Sequence, residues 1–407
     1  MAQYQYEFRI SRALDYAILM GAICFSAYWY LRPVFYPEHF KPKKVIRSQA
    51  REVAMPGEHH PASALSLALP YPTGAFPGAR DVDTAYGTIR AYEWGPGEGE
   101  KVLLVHGIGT PCIALGDMAR QFVKKGYRVM LFDLFGRGYS DSPSDLIHDD
   151  RLYTTQILLV LASSCLAWTG ISAFHIVGYS LGGGLAASFA AHHTNLLRSV
   201  TLICPGGLVR RSHVSFKSRL LYSEGILPLW LANMMGRRQL EPKPGAPSAD
   251  VPDPAGALDE IDGREAQSVD FNQVPICAED ASGPTVGDVV KWQLSNNEGF
   301  VPSYMSAIRH APIYEQHEGV WKLLSRQLLA RRRDKMRLPG LPGGKICLIL
   351  ADRDPIVVKD EWIADSFAVL GRDAVDIRVV KGGHEIAISK GREVADVAIA
   401  AWTVTVD

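Results

Sequence analysis

The sequence predicts an α/β fold, in which a parallel sheet carries helices on both faces. From about residue 82, short apolar segments alternate with helically periodic ones, and the alternation resumes near residue 344. The segment Gly178-Tyr179-Ser180-Leu181-Gly182 stands between an apolar run and a helix of small residues. Because parallel strands need crossover connections, which are usually helices, this pattern is typical of a sheet covered on both faces.

Each predicted strand is a short apolar run, and each predicted helix repeats its apolar residues every three or four positions. The predicted strands are Thr88–Trp94, Lys101–Val105, Arg128–Asp133, Phe174–Val177, Ser199–Ile203, Ile346–Leu350 and Val375–Val380. The predicted helices of the sheet domain are Ile113–Lys125, Leu152–Trp168, Leu181–His192, Glu361–Leu370 and Ile386–Trp402.

Residues 206–343 interrupt the alternation, and we expect them to form a helical lid inserted into a domain that spans residues 82–407. The apolar stretch Leu220–Met235 opens this insertion; we expect most of it to pack in a core and part of it to line a groove. Residues 241–288 hold seven of the 25 prolines, eleven acidic residues and two basic ones. This composition is typical of a flexible surface segment. Helical periodicity returns at Val289–Arg309 and Gly319–Arg333.

Residues 1–50 are predicted to form an N-terminal membrane-anchor segment and a linker. Residues 16–31 form a run of 16 residues without a charge, which as a helix would extend about 24 Å, close to the ~30 Å hydrocarbon core of a bilayer. More basic residues follow this run than precede it. The positive-inside rule therefore predicts a single-pass anchor in the endoplasmic reticulum or another intracellular membrane, with the main domain in the cytoplasm. A cleaved signal peptide and a surface-docking helix are the alternatives.

Charge and cysteine content exclude several classes of function. The 43 basic residues equal the 43 acidic ones, so no net positive field favours nucleic acid as a partner. The six cysteines are far apart and form no CxxC pair; we therefore expect no zinc or iron–sulfur site. Cys165, Cys204 and Cys347 stand in apolar runs and are interpreted as buried small hydrophobic residues.

Ser180 is the candidate nucleophile. It is the central residue of a G-x-S-x-G segment that follows the apolar run FHIV and opens the helix-forming sequence GGGLAASFAA. In this context the serine occupies a strained strand-to-helix turn, which raises its hydroxyl above the sheet edge. Glycines two positions to either side avoid collisions with the neighbouring strand and helix. The alternative is a tight turn with an inert serine.

A serine hydroxyl needs a base that accepts its proton, and His384 is the best candidate among twelve histidines. It follows the last predicted strand, within Lys381-Gly382-Gly383-His384, and precedes the closing helix. His310 and His317 belong to the predicted lid and are weaker candidates.

The base in turn needs a carboxylate that orients it and stabilises its charged form. Asp352 and Asp354 both follow the predicted strand KICLIL, at the carboxyl end of a strand, where such sites cluster. We favour Asp354, which lies at the far side of the turn just before Pro355, and interpret Asp352 as a structural turn residue. The chain order is then Ser180, Asp354, His384.

Charge that develops on a carbonyl oxygen needs hydrogen-bond donors. One candidate is the backbone N–H of Leu181, directly after the nucleophile. The second is the backbone N–H of Ile108, in the segment His106-Gly107-Ile108-Gly109-Thr110 that follows the strand VLLV. We expect His106 to orient this loop rather than to react.

The chain resembles the α/β-hydrolase superfamily. The matching segments are LLVHGIGTP (103–111), VMLFDLFGRGYSDSP (129–143), IVGYSLGGG (176–184), LILADRDPIV (348–357) and GGHE (382–385). Among them, DLFGRGYSDS is similar to the monoglyceride-lipase and proline-iminopeptidase-like branch and to fungal members without a known function. The resemblance implies an eight-stranded, mostly parallel sheet, an inserted helical lid and a hydrolase that needs no cofactor. It places Ser180, Asp354 and His384 on the family's triad and Ile108 and Leu181 on its oxyanion donors.

A serine at the turn disfavours the dehalogenases and epoxide hydrolases of this superfamily, which use aspartate there. We expect cleavage of a carboxylic ester, lipophilic in character, through an acyl-enzyme on Ser180, with a small acyl compound as the substrate. An amidase or aminopeptidase and an acyltransferase with the same triad are alternatives, and so is a non-catalytic ligand-binding protein. The substrate-binding residues and the oligomeric state are left open.

Overall fold

The part of the chain that the computed structural model describes comprises residues 16–29, 44–50, 69–242, 271–276, 283–333 and 338–403. The chain divides into two units, Met1–Lys44 and Val45–Asp407. Most of the stretch 241–288, which the sequence predicts to be flexible, lies outside the described residues.

The first unit contains helix α1 at residues 16–29. The prediction of a single-pass membrane anchor at residues 16–31 is wrong: among the described helices, none is both long and apolar enough to cross a bilayer. The described residues of α1 would extend about 21 Å, against ~30 Å of hydrocarbon. The predicted membrane localisation and the orientation of the main domain depended on this anchor and are corrected with it.

Eight strands of the second unit form one sheet. They are β2 (Arg80–Thr84), β3 (Gly87–Trp94), β4 (Lys101–Val105), β5 (Arg128–Phe132), β7 (Phe174–Tyr179), β8 (Leu197–Ile203), β9 (Ile346–Ala351) and β10 (Val375–Val380). Their order across the sheet is β10-β9-β8-β7-β4-β5-β3-β2. β3 runs antiparallel to β2 and β5, and the other neighbouring pairs are parallel. A short antiparallel ladder joins β1 (Val45–Ile46) to β6 (Ser142–Pro143). The predicted mostly parallel, eight-stranded sheet is confirmed.

Burial explains which strands the sequence predicts well. Every residue of β7 and β9 is buried, and a parallel strand covered on both faces forms a continuous apolar run. The edge strand β2, with the sequence RDVDT, alternates exposed and half-buried residues. It carries no apolar run, so the sequence pattern does not predict it.

Helices connect and cover the strands. They are α2 (Gly116–Lys124), α3 (Asp150–Ala162), α4 (Leu181–His192), α5 (Phe216–Tyr222), α6 (Leu229–Leu240), α7 (Val286–Asn296), α8 (Phe300–His310), α9 (Val320–Arg333), α10 (Lys359–Leu370), α11 (Ile386–Ser389) and α12 (Gly391–Thr403). α2 packs against α12, and α4 packs against α3 and α9. These two groups agree with the predicted sheet that carries helices on both faces.

The helical segment between β8 and β9 differs from its prediction in detail. The predicted helix Val289–Arg309 is divided into α7 and α8 at Asn297, whose Oδ1 accepts a hydrogen bond from the N–H of Gly299 at 3.0 Å. An asparagine that bonds the backbone two residues later favours a turn over a continuous helix.

The apolar stretch Leu220–Met235 is not mainly a core element, contrary to expectation. Leu221 and Ala232 are buried, but Leu229 and Trp230 are 65% and 61% exposed. The reason is that α6 packs against α5, α7 and α8 with one face, on which its buried residues Ala232, Gly236 and Leu240 follow one another every four positions. Gly236 is so close to α8 that a Cβ there would lie 2.9 Å from the Sδ of Met305.

Candidate active site

Ser180 lies in the turn between β7 and α4, at the carboxyl edge of the sheet. Its backbone has φ 53° and ψ −120°, a positive φ that residues with a side chain seldom adopt. Four backbone hydrogen bonds hold this conformation, one of them from the N–H of Gly184 to the carbonyl of Ser180 at 3.3 Å. The N–H of Ser180 donates to the carbonyl of Ile203 at 3.0 Å, and its carbonyl accepts from Gly183 at 2.9 Å and from Gly206 at 2.8 Å. The predicted strained turn is therefore present.

Two glycines make room for this turn. A Cβ on Gly178 would lie 2.2 Å from the carbonyl oxygen of Gly182, and a Cβ on Gly182 would lie 2.2 Å from the carbonyl oxygen of Val105. Both obstacles are backbone atoms, which cannot rotate away as a side chain can. Strand β4, strand β7 and helix α4 therefore meet closely only because neither position carries a side chain.

Ser180, His384 and Asp354 form a hydrogen-bonded relay. Nε2 of His384 lies 3.0 Å from Oγ of Ser180, and Nδ1 of His384 lies 2.7 Å from Oδ2 of Asp354. All three residues are buried, with exposures of 7%, 5% and 6%. The relay needs the proton on Nδ1, where it is donated to the carboxylate, so that Nε2 can accept the serine proton. The structure thus brings together three residues that the sequence separates by up to 204 positions.

Asp354 is held as an ionised acceptor. Its Oδ1 accepts hydrogen bonds from the N–H groups of Ile356 at 2.8 Å and Val357 at 2.9 Å. Burial raises the pKa of Asp354, but His384 and these two donors outweigh it, and the pKa lies below its ordinary value. A carboxylate with its charge retained at neutral pH suits a partner of His384.

Asp352 has a different set of partners. Its Oδ1 accepts from the N–H of Gly382 at 2.7 Å, and its own N–H donates to the carbonyl of Val380 at 3.0 Å. It thereby ties the end of β9 to the loop that carries His384. The structure places Asp354, not Asp352, against the histidine.

The loop of residues 106–110, which follows β4, is here called the His106 loop. His106 is fully buried; burial lowers its pKa to about 3, so its ring is neutral. Its Nε2 accepts from the N–H of Leu134 at 2.8 Å, and its Nδ1 lies 2.7 Å from the carbonyl of Gly107. Because Nε2 is an acceptor, the proton is on Nδ1 and is donated to Gly107. This carbonyl belongs to the peptide unit of the Ile108 N–H, so His106 orients that group.

Leu181 is the first residue of α4, so its N–H has no partner within the helix and lies at the positive end of the helix dipole. The close approach of Gly182 to the backbone of Val105 and His106 puts the start of this helix beside the His106 loop. The two predicted donors, Leu181 and Ile108, therefore lie on adjacent segments.

Cys204 is a neighbour of this site that the sequence pattern does not indicate. Cys204 follows β8, is fully buried and has φ 39°. One side-chain atom each of Cys204, Asp354 and His384 lie within 4.8 Å of one another. Burial and the charge of Asp354 raise the pKa of this thiol, so it stays protonated. The sequence feature that could connect Cys204 with the site is its position directly after a strand that ends at the same sheet edge. We assign no metal to this group, because both nitrogens of His384 already face Ser180 and Asp354.

Two buried histidines make stability depend on pH. Burial lowers the pKa of both His106 and His148 to about 3, whereas a histidine in the unfolded chain binds its proton near pH 6.5. Only the unfolded state takes up these protons as the pH falls below that value. The free energy of unfolding should therefore decrease by about 1.4 kcal/mol per histidine for each pH unit of acidification.

Urea unfolding of the wild type and of His148→Phe at several pH values measures this effect. The variant should lose less stability on acidification than the wild type. Equal slopes for the two proteins would contradict the assignment of His148 as a neutral buried residue.

A sequence profile of the family described as alpha/beta hydrolase fold matches residues 101–390. Over 107 residues the chain is 30% identical to Probable lysophospholipase BODYGUARD 4 of Arabidopsis thaliana, a match that covers 26% of this chain and 25% of that protein. Over 109 residues it is 30% identical to Lipase 1 of Psychrobacter immobilis, covering 27% of this chain and 32% of that protein. The matches thus span about a third or less of these curated relatives.

Solved structures share the fold at low sequence identity. A carboxylesterase of Nitrososphaera gargenis is 14% identical, has a TM-score of 0.52 and covers 80% of this chain and 98% of that chain. Haloalkane dehalogenase DpaA from Paraglaciecola agarilytica NO2 is 15% identical, has a TM-score of 0.52 and covers 88% of this chain and 99% of that chain. These proteins carry different activities in their names, so the similarity shows a common fold and no common reaction.

Proposed function

Because this chain belongs to the alpha/beta hydrolase fold family, we propose that it is a serine hydrolase that cleaves a carboxylic ester with a lipophilic acyl group. The observation that carries the proposal is the buried relay in which Asp354 bonds His384 and His384 faces the Oγ of Ser180. Without a neighbouring base, a serine hydroxyl is a poor nucleophile at neutral pH.

In the proposed reaction, Oγ of Ser180 attacks the ester carbonyl while Nε2 of His384 takes up the hydroxyl proton. The carbonyl oxygen gains negative charge, and the N–H groups of Ile108 and Leu181 stabilise it. His384 then gives its proton to the departing alcohol, which leaves an acyl-enzyme on Ser180. Asp354 stays ionised throughout and stabilises the charged imidazole.

Water completes the cycle. His384 removes a proton from a water molecule, the resulting hydroxide attacks the acyl carbonyl, and the carboxylic acid leaves as Oγ of Ser180 regains its proton. We also propose that the helices between β8 and β9, within residues 206–343, form the lid over this site.

Two observations support an ester with a lipophilic acyl group. The relatives at 30% identity carry the names lysophospholipase and lipase. In addition, α6 leaves large apolar side chains exposed, among them Leu229 and Trp230, and exposed apolar surface commonly marks an interaction site for an apolar ligand or partner.

A fluorophosphonate probe tests the proposed nucleophile, because it phosphonylates a serine only where a base and an oxyanion site activate it. We expect the wild type to be labelled and Ser180→Ala to remain unlabelled, with mass spectrometry placing the adduct on the peptide that contains Ser180. A folded wild type that is not labelled would contradict the proposal and favour a non-catalytic ligand-binding protein.

Esters and amides of the same acids test which kind of bond the protein cleaves. Nitrophenyl esters of increasing acyl length, and the anilides of the same acids, should show turnover of the esters and a preference for the longer chains. Faster turnover of the anilides would favour an amidase. Formation of a methyl ester in place of the free acid when methanol is added would favour an acyltransferase.

A further inference from the structure

Three consecutive carbonyl groups of the His106 loop each accept a hydrogen bond from a buried side chain. His106 donates to the carbonyl of Gly107, as described above. Nε of Arg137 donates to the carbonyl of Ile108 at 3.0 Å, and Nε2 of Gln293 donates to the carbonyl of Gly109 at 2.9 Å. The three donors come from three separate parts of the chain.

This arrangement determines which way the loop's N–H groups point. In a trans peptide unit the C=O and N–H bonds point in opposite directions. A carbonyl held on one side therefore turns the N–H of the following residue to the other side. The N–H of Ile108 is the proposed oxyanion donor. Hydrogen bonds hold the carbonyl of its own peptide unit, which is that of Gly107, and also the carbonyl of the next unit, which is that of Ile108.

The environment of Arg137 is unusual for a charged side chain. It is fully buried, and within the described part of the chain no carboxylate forms an ion pair with it. Its Nη1 donates to Oγ of Ser303 at 2.9 Å and to the hydroxyl of Tyr153 at 3.1 Å, while Nη2 is buried without a partner among the described residues. A buried cation without an anion costs free energy, so packing alone does not account for this residue.

Gln293 uses both ends of its amide. Nε2 donates to Gly109, and Oε1 accepts from the N–H of Gly138 at 2.8 Å. The residue is fully buried and belongs to α7, in the helical segment between β8 and β9. Ser303, the partner of Arg137, belongs to α8 of the same segment. The proposed lid is thus bonded to the His106 loop through buried side chains.

We infer that Arg137 and Gln293 are positioning residues that hold the His106 loop in the conformation needed to stabilise the oxyanion, and that they connect this loop to the proposed lid. The inference rests on the proposed function of Ser180. Neither residue touches the reacting atoms; both act through the backbone of residues 108 and 109.

The test compares Gln293→Met and Arg137→Met with Thr201→Val. Each of the first two removes hydrogen bonds to the loop or its support at nearly constant volume. Thr201→Val removes one buried hydrogen bond, the 2.9 Å contact from Nε1 of Trp402, at a place away from the loop. Second-order rate constants for fluorophosphonate labelling, kcat and KM for a nitrophenyl ester, and urea unfolding are measured for all proteins.

We expect both loop variants to lower kcat and the labelling rate constant by about 10- to 100-fold, because small displacements of an oxyanion donor weaken transition-state binding. KM should change by less than about twofold. Thr201→Val should keep the wild-type rates despite a loss of stability. Arg137→Met should also lose stability, because methionine leaves the buried carbonyls of Ile108 and Phe135 without their side-chain donor.

Gln293→Glu adds a readout that a purely structural role would not move. In its ionised form, the introduced carboxylate faces the carbonyl of Gly109 without a proton to donate, whereas the protonated carboxyl restores both hydrogen bonds. The labelling rate of this variant relative to that of the wild type at the same pH should therefore rise from about pH 8 to about pH 5.5, a range that a buried carboxyl can titrate in.

The outcomes separate this inference from the proposed function. One outcome is that the two loop variants are labelled at the same rate as the wild type and Thr201→Val. This result would overturn the positioning role and leave the proposed serine hydrolase unaffected. If no folded protein is labelled, the proposed function fails, and the positioning role fails with it. Another outcome is that the labelling rate falls in proportion to the free energy of unfolding in all three variants, Thr201→Val included. This result would also overturn the inference.

Discussion

Replacing Asp354 by asparagine is expected to lower kcat by about 10⁴-fold, as the equivalent change does in serine proteases. The amide cannot stabilise the charged His384, and its NH₂ group favours the tautomer in which Nδ1 is the acceptor and Nε2 carries the proton. That tautomer cannot take the proton of Ser180. The fold should survive, because asparagine keeps an oxygen that can accept from Ile356 and Val357.

Asp352→Asn is the matched control. Asp352 lies two residues away and accepts a hydrogen bond from the N–H of Gly382, which an asparagine oxygen can also accept. We expect kcat to stay within about threefold of the wild-type value, because the ring of His384 is not its partner. The comparison needs ester turnover and thermal unfolding of both variants. If Asp352→Asn were the more damaging of the two, the assignment of the acid would be wrong.

A second large effect is expected from Gly182→Ala. The added Cβ would lie 2.2 Å from the carbonyl oxygen of Val105 and 2.6 Å from that of His106, so the start of α4 and the His106 loop must move apart. This movement separates the two proposed oxyanion donors, Ile108 and Leu181. We expect kcat to fall by at least about 100-fold and the free energy of unfolding to fall by about 1–3 kcal/mol.

Gly97→Ala serves as its control, because a Cβ at Gly97 meets no atom within 4 Å. Turnover and urea unfolding of this variant should match those of the wild type. Normal turnover by Gly182→Ala would mean that the helix and the loop can separate without disturbing the site, which would contradict the role given to the Leu181 and Ile108 N–H groups.

Much of the sheet can be predicted from short segments of the sequence. Buried parallel strands such as β7 and β9 are apolar throughout, and this property can be recognised in a single sequence. The charged edge strand β2 has no such pattern, since its partner β3 and not its composition makes it a strand. The predicted anchor failed because a short uncharged run is not sufficient evidence for a membrane span: among the described helices, none is both long and apolar enough to cross a bilayer.

The candidate site likewise contains residues that a local sequence pattern identifies and residues that it does not. Ser180 is recognisable because a strained turn needs glycines at fixed distances from it, and His384 and Asp354 are recognisable because each follows a strand that ends at the same sheet edge. Cys204 also follows such a strand, but a buried cysteine in an apolar run has no sequence pattern that distinguishes a neighbour of Asp354 from ordinary core.

By itself, the sequence determined the fold class, the strained turn at Ser180 and the order of the three relay residues, because these depend on local periodicity and on spacing along one segment. Only the tertiary structure decided that Asp354 and not Asp352 meets His384, and that Arg137 and Gln293 bond to the His106 loop. The physical reason is distance along the chain. Gln293 and Gly109 are 184 positions apart, and a hydrogen bond over such a separation exists only after strands and helices have packed.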